Sequence, residues 1–409
     1  MNKTKTILII ATLDTKGPEA LFVKNLIEER GIRTLVMDSG IMGDTYFNAD
    51  IPASKVAGAA SRTLPELASM KDESKAMAEM AKGAEILVSE LFERGEFDGV
   101  MALGGTMGTA LALKALRKLP IGVPKVLVST VALSYFVTPQ DVSADLIMFQ
   151  VAADIWGLNR LVKRDLKRAA LAAVCATENE EQLSEQVDPL ISLTTLGGSY
   201  LKYTPAVKER LENEGYEVAV FHSVSMQGAI MERIIEEGKV DGVLDLCPFE
   251  VLAELCGGYC CSPGRMEAAA KMGIPQIVAP GGIGIFPWGS LENIPERFRG
   301  RLAKAHNEIT SAIRASEEEM AETAKVMASK LNRSTGPVIV VIPEKGFFEY
   351  DRPGEFFYYP EGRKIFIETM RDNLRPEIEF VSMDQHINDP GFAEKVSNIA
   401  LHLFKRVHT

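Results

Sequence analysis

The chain lacks any run of apolar residues approaching 18, so no segment reads as a hydrophobic membrane span. Cysteine is scarce and odd in number: Cys175, Cys247, Cys256, Cys260 and Cys261 among 409 residues. Such a count in a large chain indicates reduced thiols rather than a disulfide scaffold. The adjacent Cys260 and Cys261 have no second Cys or His pair at zinc spacing, and local thiols are the expectation. Cations are in deficit, with 45 Lys and Arg against 56 Asp and Glu. A net charge of -11 excludes a general surface for nucleic acid or anionic membrane and leaves only a local basic pocket. The opening "MNKTKTILIIATLDTKG" lacks the long apolar stretch and small-residue cleavage site of a signal peptide, so a cytoplasmic location is expected. No Walker lysine motif, dinucleotide G-x-G-x-x-G motif or Ser, His and acid spacing of a nucleophilic triad occurs.

What is present is repetition. Short Val, Ile and Leu runs alternate with longer segments of helical periodicity, the pattern of a mostly parallel sheet covered on both faces. Residues 6–39, "TILIIATLDTKGPEALFVKNLIEERGIRTLVMDS", have the same grammar as residues 190–223, "LISLTTLGGSYLKYTPAVKERLENEGYEVAVFHS". "ERGEFDGVMAL" is answered by "EEGKVDGVLDL", and "IGVPKVLVST" by "MGIPQIVAP". These matched segments, in one order, predict an α/β chain of two tandem, internally duplicated Rossmann-like domains, 1–185 and 186–409. The acidic stretch "CATENEEQLSEQVDPL" lies at their boundary. The first copy carries an inserted segment near 40–80, expected as a lid, a subunit contact or a neutral decoration. The second ends in an amphipathic helix begun at Asp389 and Pro390.

Ligands of a doubly wound sheet gather beyond the carboxyl ends of its strands, so the loops at those ends are the candidates. "GGTMGT" follows one strand and opens a helix. Gly104, Gly105 and Gly108 permit close backbone approach, and amide hydrogens at a helix N-terminus, with the Thr106 and Thr109 hydroxyls, suit an anion; a tight steric corner explains the same letters. "ATLDTKG" ends the first strand: Asp14 suits a ribose hydroxyl or a metal-bound water, Thr15 a helix cap, and Lys16 a phosphate. Ser129, in "STVA", is expected to add a hydroxyl near Gly104. In the second copy His222 is a proton-transfer candidate at a strand end, Arg265 a cation in a glycine-rich turn, and His386 with Asp384 and Asp389 an acid-base or magnesium-adjacent cluster. Phe286 and Trp288 of "APGGIGIFPWG" could stack on a flat ligand or cover core. "SADLIMF" is expected to return the chain toward the core.

Together "ATLDTKG", "GGTMGT", "IGVPKVLVSTVA", "GLNR", "GGYCCSPGR", "GIPQIVAPG", "RLAKAHN" and "HINDPGFA" resemble the UPF0261 family, relatives of the ATP-binding region of the plant Tm-1 resistance protein. The resemblance spans essentially the whole chain. It implies two α/β domains, a homodimer or higher homo-oligomer, and ATP binding, with Mg2+ expected beside the nucleotide. It assigns the nucleotide to Asp14, Thr15, Lys16, Gly104, Gly105, Thr106, Gly108 and Thr109. Ser129 is the added binding candidate, Asp14 and Asp384 are the metal candidates, and His222, His386 and Arg265 the catalytic ones. Three functions stay open: a nucleotide-binding protein with a small-molecule ligand, which could act as an enzyme at an interdomain crevice; a non-catalytic regulatory or interaction module; and an enzyme acting on a phosphorylated or carboxylated metabolite without ATP.

Overall fold

A computed structural model describes residues 4–138, 141–142, 144–179, 188–224, 226–259 and 262–407. Cys260, Cys261, Ser143 and Ser225, and residues 180–187 of the acidic boundary stretch, lie outside the described residues. The chain divides into two compact units, Met1–Glu185 and Gln186–Thr409.

In the first unit β1 (Thr6–Ala11), β2 (Arg33–Asp38), β3 (Gly99–Gly104), β4 (Lys125–Ser129) and β5 (Leu146–Gln150) form one parallel sheet in the order β2-β1-β3-β4-β5. The unbroken apolar text of β1 has a simple cause. Ile7, Ile9 and Ala11 enter the core under helices Leu13–Glu28 and Arg160–Glu178, while Leu8 and Ile10 enter the opposite core under Glu73–Glu93 and Thr106–Leu116. Both faces are buried, so a period of two in residue direction produces no alternation in residue type. "SADLIMF" does not simply return to the core: Leu146–Gln150 is the outer strand β5, whose apolar residues stay partly exposed at the sheet's edge.

The segment after β2 docks on that strand's outer edge. Ile51 forms a parallel bridge to Met37, and the Val36 amide donates to Asp50 Oδ2 at 2.8 Å. This covers an edge that would otherwise present unpaired backbone.

The second unit repeats the plan. Its parallel strands are β6 (Leu190–Thr195), β7 (Glu217–His222), β8 (Gly242–Asp245) and β9 (Gln276–Val278). After them comes a small antiparallel sheet of β10 (Ile285–Trp288), β11 (Ala303–Ala305) and β12 (Ser311–Arg314), then β13 (Val338–Pro343) and β14 (Glu379–Met383). The main sheet runs β14-β13-β9-β8-β6-β7, which is the first unit's order with one strand added. Gly31 at φ +82° and Gly215 at φ +85° close the helices before β2 and β7 in the left-handed conformation that glycine adopts without a Cβ penalty. The small sheet β10-β12-β11 has no counterpart in the described residues of the first unit. A helix over Pro390–Val407 follows β14. No helix among the described residues is long and apolar enough to cross a membrane.

Candidate functional site

In each unit the strand order reverses beside the first strand: successive crossovers leave it toward opposite faces and a crevice opens beyond the strand ends. In the first unit that place, at the ends of β1 and β3, holds a cavity of about 310 Å³. Thr12, Asp14, Thr15 and Lys16 form one wall, and Gly105, Thr106, Met107 and Gly108 form the other. Two structural facts give it chemistry.

The first is Lys16. Its backbone departs from helical angles (φ -125°, ψ 19°) inside the first turns after β1, and the residue is only 8% exposed. No carboxylate pairs with it among the described residues; its ammonium lies 5.2 Å from the ring centroid of Trp156. A mostly buried cation without a counter-charge is costly unless an anion joins it. The second is the 11-residue helix Thr106–Leu116, which begins after Gly105 with no side-chain cap. Its first amides have no intrahelical acceptor and carry the positive end of the helix dipole toward the same cavity.

Neighbouring groups hold this arrangement in place. Asp38 Oδ1 accepts from the Leu13 amide at 3.0 Å and the Gly40 amide at 2.9 Å, pinning the turn after β1. Burial raises the Asp38 pKa. Asp14 Oδ2 accepts from the Met42 amide at 2.8 Å, and its Oδ1 is enclosed without a partner. A Cβ on Gly40 would stand 2.6 Å from the Asp14 carboxyl carbon, so that glycine makes room for the acid. Thr15 Oγ1 lies 2.8 Å from Thr12 Oγ1, a local turn contact.

Several residues assigned from sequence stand behind the cavity. Thr109 Oγ1 and Ser129 Oγ are buried 2.7 Å apart, Thr109 Oγ1 also donates to Gly104 O at 3.4 Å, and Ser129 Oγ accepts from the Val131 amide. Their hydroxyls tie β3, β4 and the helix together and do not line the cavity. Gly104 is also a packing residue: a Cβ there would meet Gly108 Cα at 2.7 Å. Conversely, the structure adds residues the sequence reading passed over. Glu19 is buried, and its Oε1 accepts from the Gly157 amide at 2.6 Å, fixing the loop that places Trp156 over Lys16. Ile41 and Met42, from the inserted segment, and Glu73 and Met77 also face the cavity. The rarity of Trp, two in the chain, was the signal available for Trp156.

The second unit corrects other expectations. Arg265 is wholly buried and spent on three carboxylates: Nη1 to Glu232 Oε1 and Nη2 to Asp245 Oδ1, both at 2.8 Å, and Nε to Glu250 Oε2 at 3.1 Å. Burial alone would lower its pKa, but these three charges hold it well above the ordinary value, while burial pushes Glu232 and Glu250 up. Arg265 is therefore a core ion cluster, with no edge left for a ligand. His386 is 1% exposed; Nδ1 accepts from the Asn388 amide at 3.0 Å, so Nε2 carries the proton and donates to Phe348 O at 3.0 Å. Burial, and after it the Arg352 charge, lowers its pKa to about 4. Both ring nitrogens are occupied, and it is a neutral structural histidine.

Asp384 is exposed and paired with Lys345 at 2.6 Å, in the unit that does not contain Asp14. No three His, Cys, Asp or Glu among the described residues could hold a metal as a group. Phe286 is core, and Trp288 stacks on Tyr259 with centroids 5.2 Å apart. His222 alone of the catalytic candidates faces a cavity, at the ends of β6 and β7.

Comparison with known proteins places this architecture. A UPF0261 protein of Brucella suis biovar 1 is 40% identical over 401 residues, 98% of this chain and 95% of that protein. The ToMV resistance protein Tm-1(GCR237) of Solanum lycopersicum is 34% identical over 331 residues, covering 78% of this chain and 43% of its own length. Among solved structures, a UDP-N-acetylglucosamine 2-epimerase aligns over 99% of this chain and 98% of its own, with 11% identity and a TM-score of 0.26. The Uncharacterised protein family (UPF0261) N-terminal domain matches residues 5–182 and the C-terminal domain residues 188–404. With the duplicated sheet order and the two matched halves in agreement along the chain, it belongs to the UPF0261 family.

Proposed function

We propose that the first unit binds a nucleotide, ATP with magnesium, its phosphates lying between Lys16 and the amides of Thr106, Met107 and Gly108. The observation that carries this reading is the buried ammonium of Lys16, unpaired among the described residues and facing the same cavity as an uncapped helix N-terminus. Each asks for negative charge, and together they suit an oligophosphate better than a single carboxylate. The largely exposed Trp156 (79%) offers an aromatic face for a base. Magnesium keeps several waters and needs one or two protein carboxylates in addition to phosphate oxygens. Asp14, whose Oδ1 has no partner, and Glu73 on the cavity wall fit that requirement. The ATP identity itself rests on the resemblance of "ATLDTKG" and "GGTMGT" to the Tm-1-like sequences.

Calorimetric titration of the whole chain with magnesium-ATP tests this. Lys16→Met keeps the apolar stem and removes the charge, so its affinity should fall about 10- to 100-fold, as for loss of a contact worth about 1.5–3 kcal/mol. Its thermal midpoint without nucleotide should not fall, because the substitution removes a buried unpaired charge. No heat of binding to the unaltered protein at near-millimolar nucleotide overturns the reading.

A further inference from the structure

The second unit has its own cavity, of about 330 Å³, at the reversal point between β6 and β8. Its volume lies at the lower end of the range for small-molecule pockets, about 300–1,000 Å³. It occupies the same position on the sheet as the first unit's site, yet its chemistry is inverted. Where the first unit places Gly105 to Gly108, the matched text of the second places Pro248, Phe249, Glu250 and Val251 after β8, and the almost fully buried Phe249 forms the cavity floor. In place of Asp14, Thr15 and Lys16, the turn after β6 presents Gly197, Ser199 and Tyr200. None of the described lining residues is Lys, Arg, Asp or Glu.

The remaining wall comes from the small antiparallel sheet, which supplies Ile285 and the hairpin residue His306. That hairpin is fixed internally: Asn307 Oδ1 accepts from the Ile309 amide and from the amide and hydroxyl of Thr310, all within 2.9 Å. The His306 ring lies 5.8 Å from the Tyr200 ring, and a Cβ on Gly197 would stand 3.6 Å from His222 Nε2, so both imidazoles flank the mouth. Neither imidazole has a hydrogen-bond partner among the described residues, and both are exposed. An apolar floor with two polar rings at its rim and no charge suits a ligand that is itself flat, largely apolar and uncharged, with hydrogen-bonding atoms on its edge.

We infer that this cavity is a second ligand site, for an uncharged planar ring compound seated on Phe249 with its edge hydrogen-bonded by His222 and His306. The site goes beyond the nucleotide reading and does not rest on it. It also differs from a site for a phosphorylated or carboxylated metabolite, because Arg265 is sealed in its ion cluster and no Lys or Arg is among the described residues that line the cavity.

The imidazole proton resonances of the full chain report on it, with five histidines to resolve and His222→Gln and His306→Gln to assign two of them. Indole is the ring probe and inorganic phosphate the anion probe. Indole should shift the His222 and His306 signals saturably and leave His386 unmoved, and phosphate should leave all three in place. Ser199→Trp, at an exposed position on the mouth, should abolish the indole response without changing the thermal midpoint, and Lys16→Met should leave the response intact. Three outcomes overturn the site: no saturable shift up to the solubility of indole, a shift shared equally by all histidines, or movement of the same pair by phosphate. Because Lys16→Met protein is titrated in parallel, failure here and failure of the nucleotide reading are separate results.

Discussion

The two reversal points of the duplicated sheet stand at the same topological position and present opposite surfaces. Beyond β1 and β3 lie a buried lysine, an unpartnered carboxylate oxygen and a bare helix N-terminus. Beyond β6 and β8 lie a phenylalanine, a tyrosine and two imidazoles, and the helix that follows, Phe249–Leu255, is only 7 residues long. The strands dictate where a crevice opens; the four or five residues after each strand dictate what it accepts. Duplication therefore preserved the scaffold while the loops diverged, with an edge-covering insertion in one unit and a small antiparallel sheet in the other.

That contrast depends on treating Arg265 and His386 as scaffold, which is where it is most easily broken. Arg265→Ala leaves Glu232, Asp245 and Glu250 facing one another inside the second unit, and should destabilise the protein by about 3–5 kcal/mol in denaturant unfolding. An Arg265→Ala protein of unaltered stability would return this residue to the list of ligand contacts. His386 has the next largest effect, through pH. Its folded pKa of about 4 lies below the ordinary 6.5, so its neutral form contributes stability that is fully present above pH 6.5 and lost as pH falls through 4. The amount is about 3 kcal/mol across that window, and His386→Gln should flatten the corresponding acid limb of a stability profile. Trp156→Ala sharpens the contrast from the first unit. It removes a cation–π contact and the exposed stacking face, and should weaken magnesium-ATP about three- to tenfold with little change in stability.

Sequence pattern revealed the scaffold well because the scaffold is made of local signals. Strands buried on both faces, such as β1, β3 and β13, appear as continuous apolar runs, and the order of matched segments revealed the repeat. The strands of the antiparallel sheet, 3 or 4 residues each, are too short to show a period, and the apolar letters of β5 do not disclose its place at the sheet's edge. At the site, strand-end position identified Asp14, Thr15, Lys16 and the glycine-threonine loop. What residue type could not disclose was partnership at a distance. Thr109 resembles a phosphate ligand until Ser129, 20 positions away, takes its hydroxyl. Arg265 resembles an anion binder until Glu232, 33 positions earlier, is seen to enclose it. Glu19 resembles an ordinary helix residue until its bond to Gly157, 138 positions on, shows that it holds the Trp156 loop.

The central claim is that the phosphate-binding chemistry belongs to the first reversal point alone. Amide hydrogen exchange of the full chain with and without magnesium-ATP tests it at both points in one measurement. Protection should appear in peptides covering residues 12–19 and 105–110, with residues 196–203 and 246–252 unchanged. Protection confined to the second pair, or equal in both, would contradict the account.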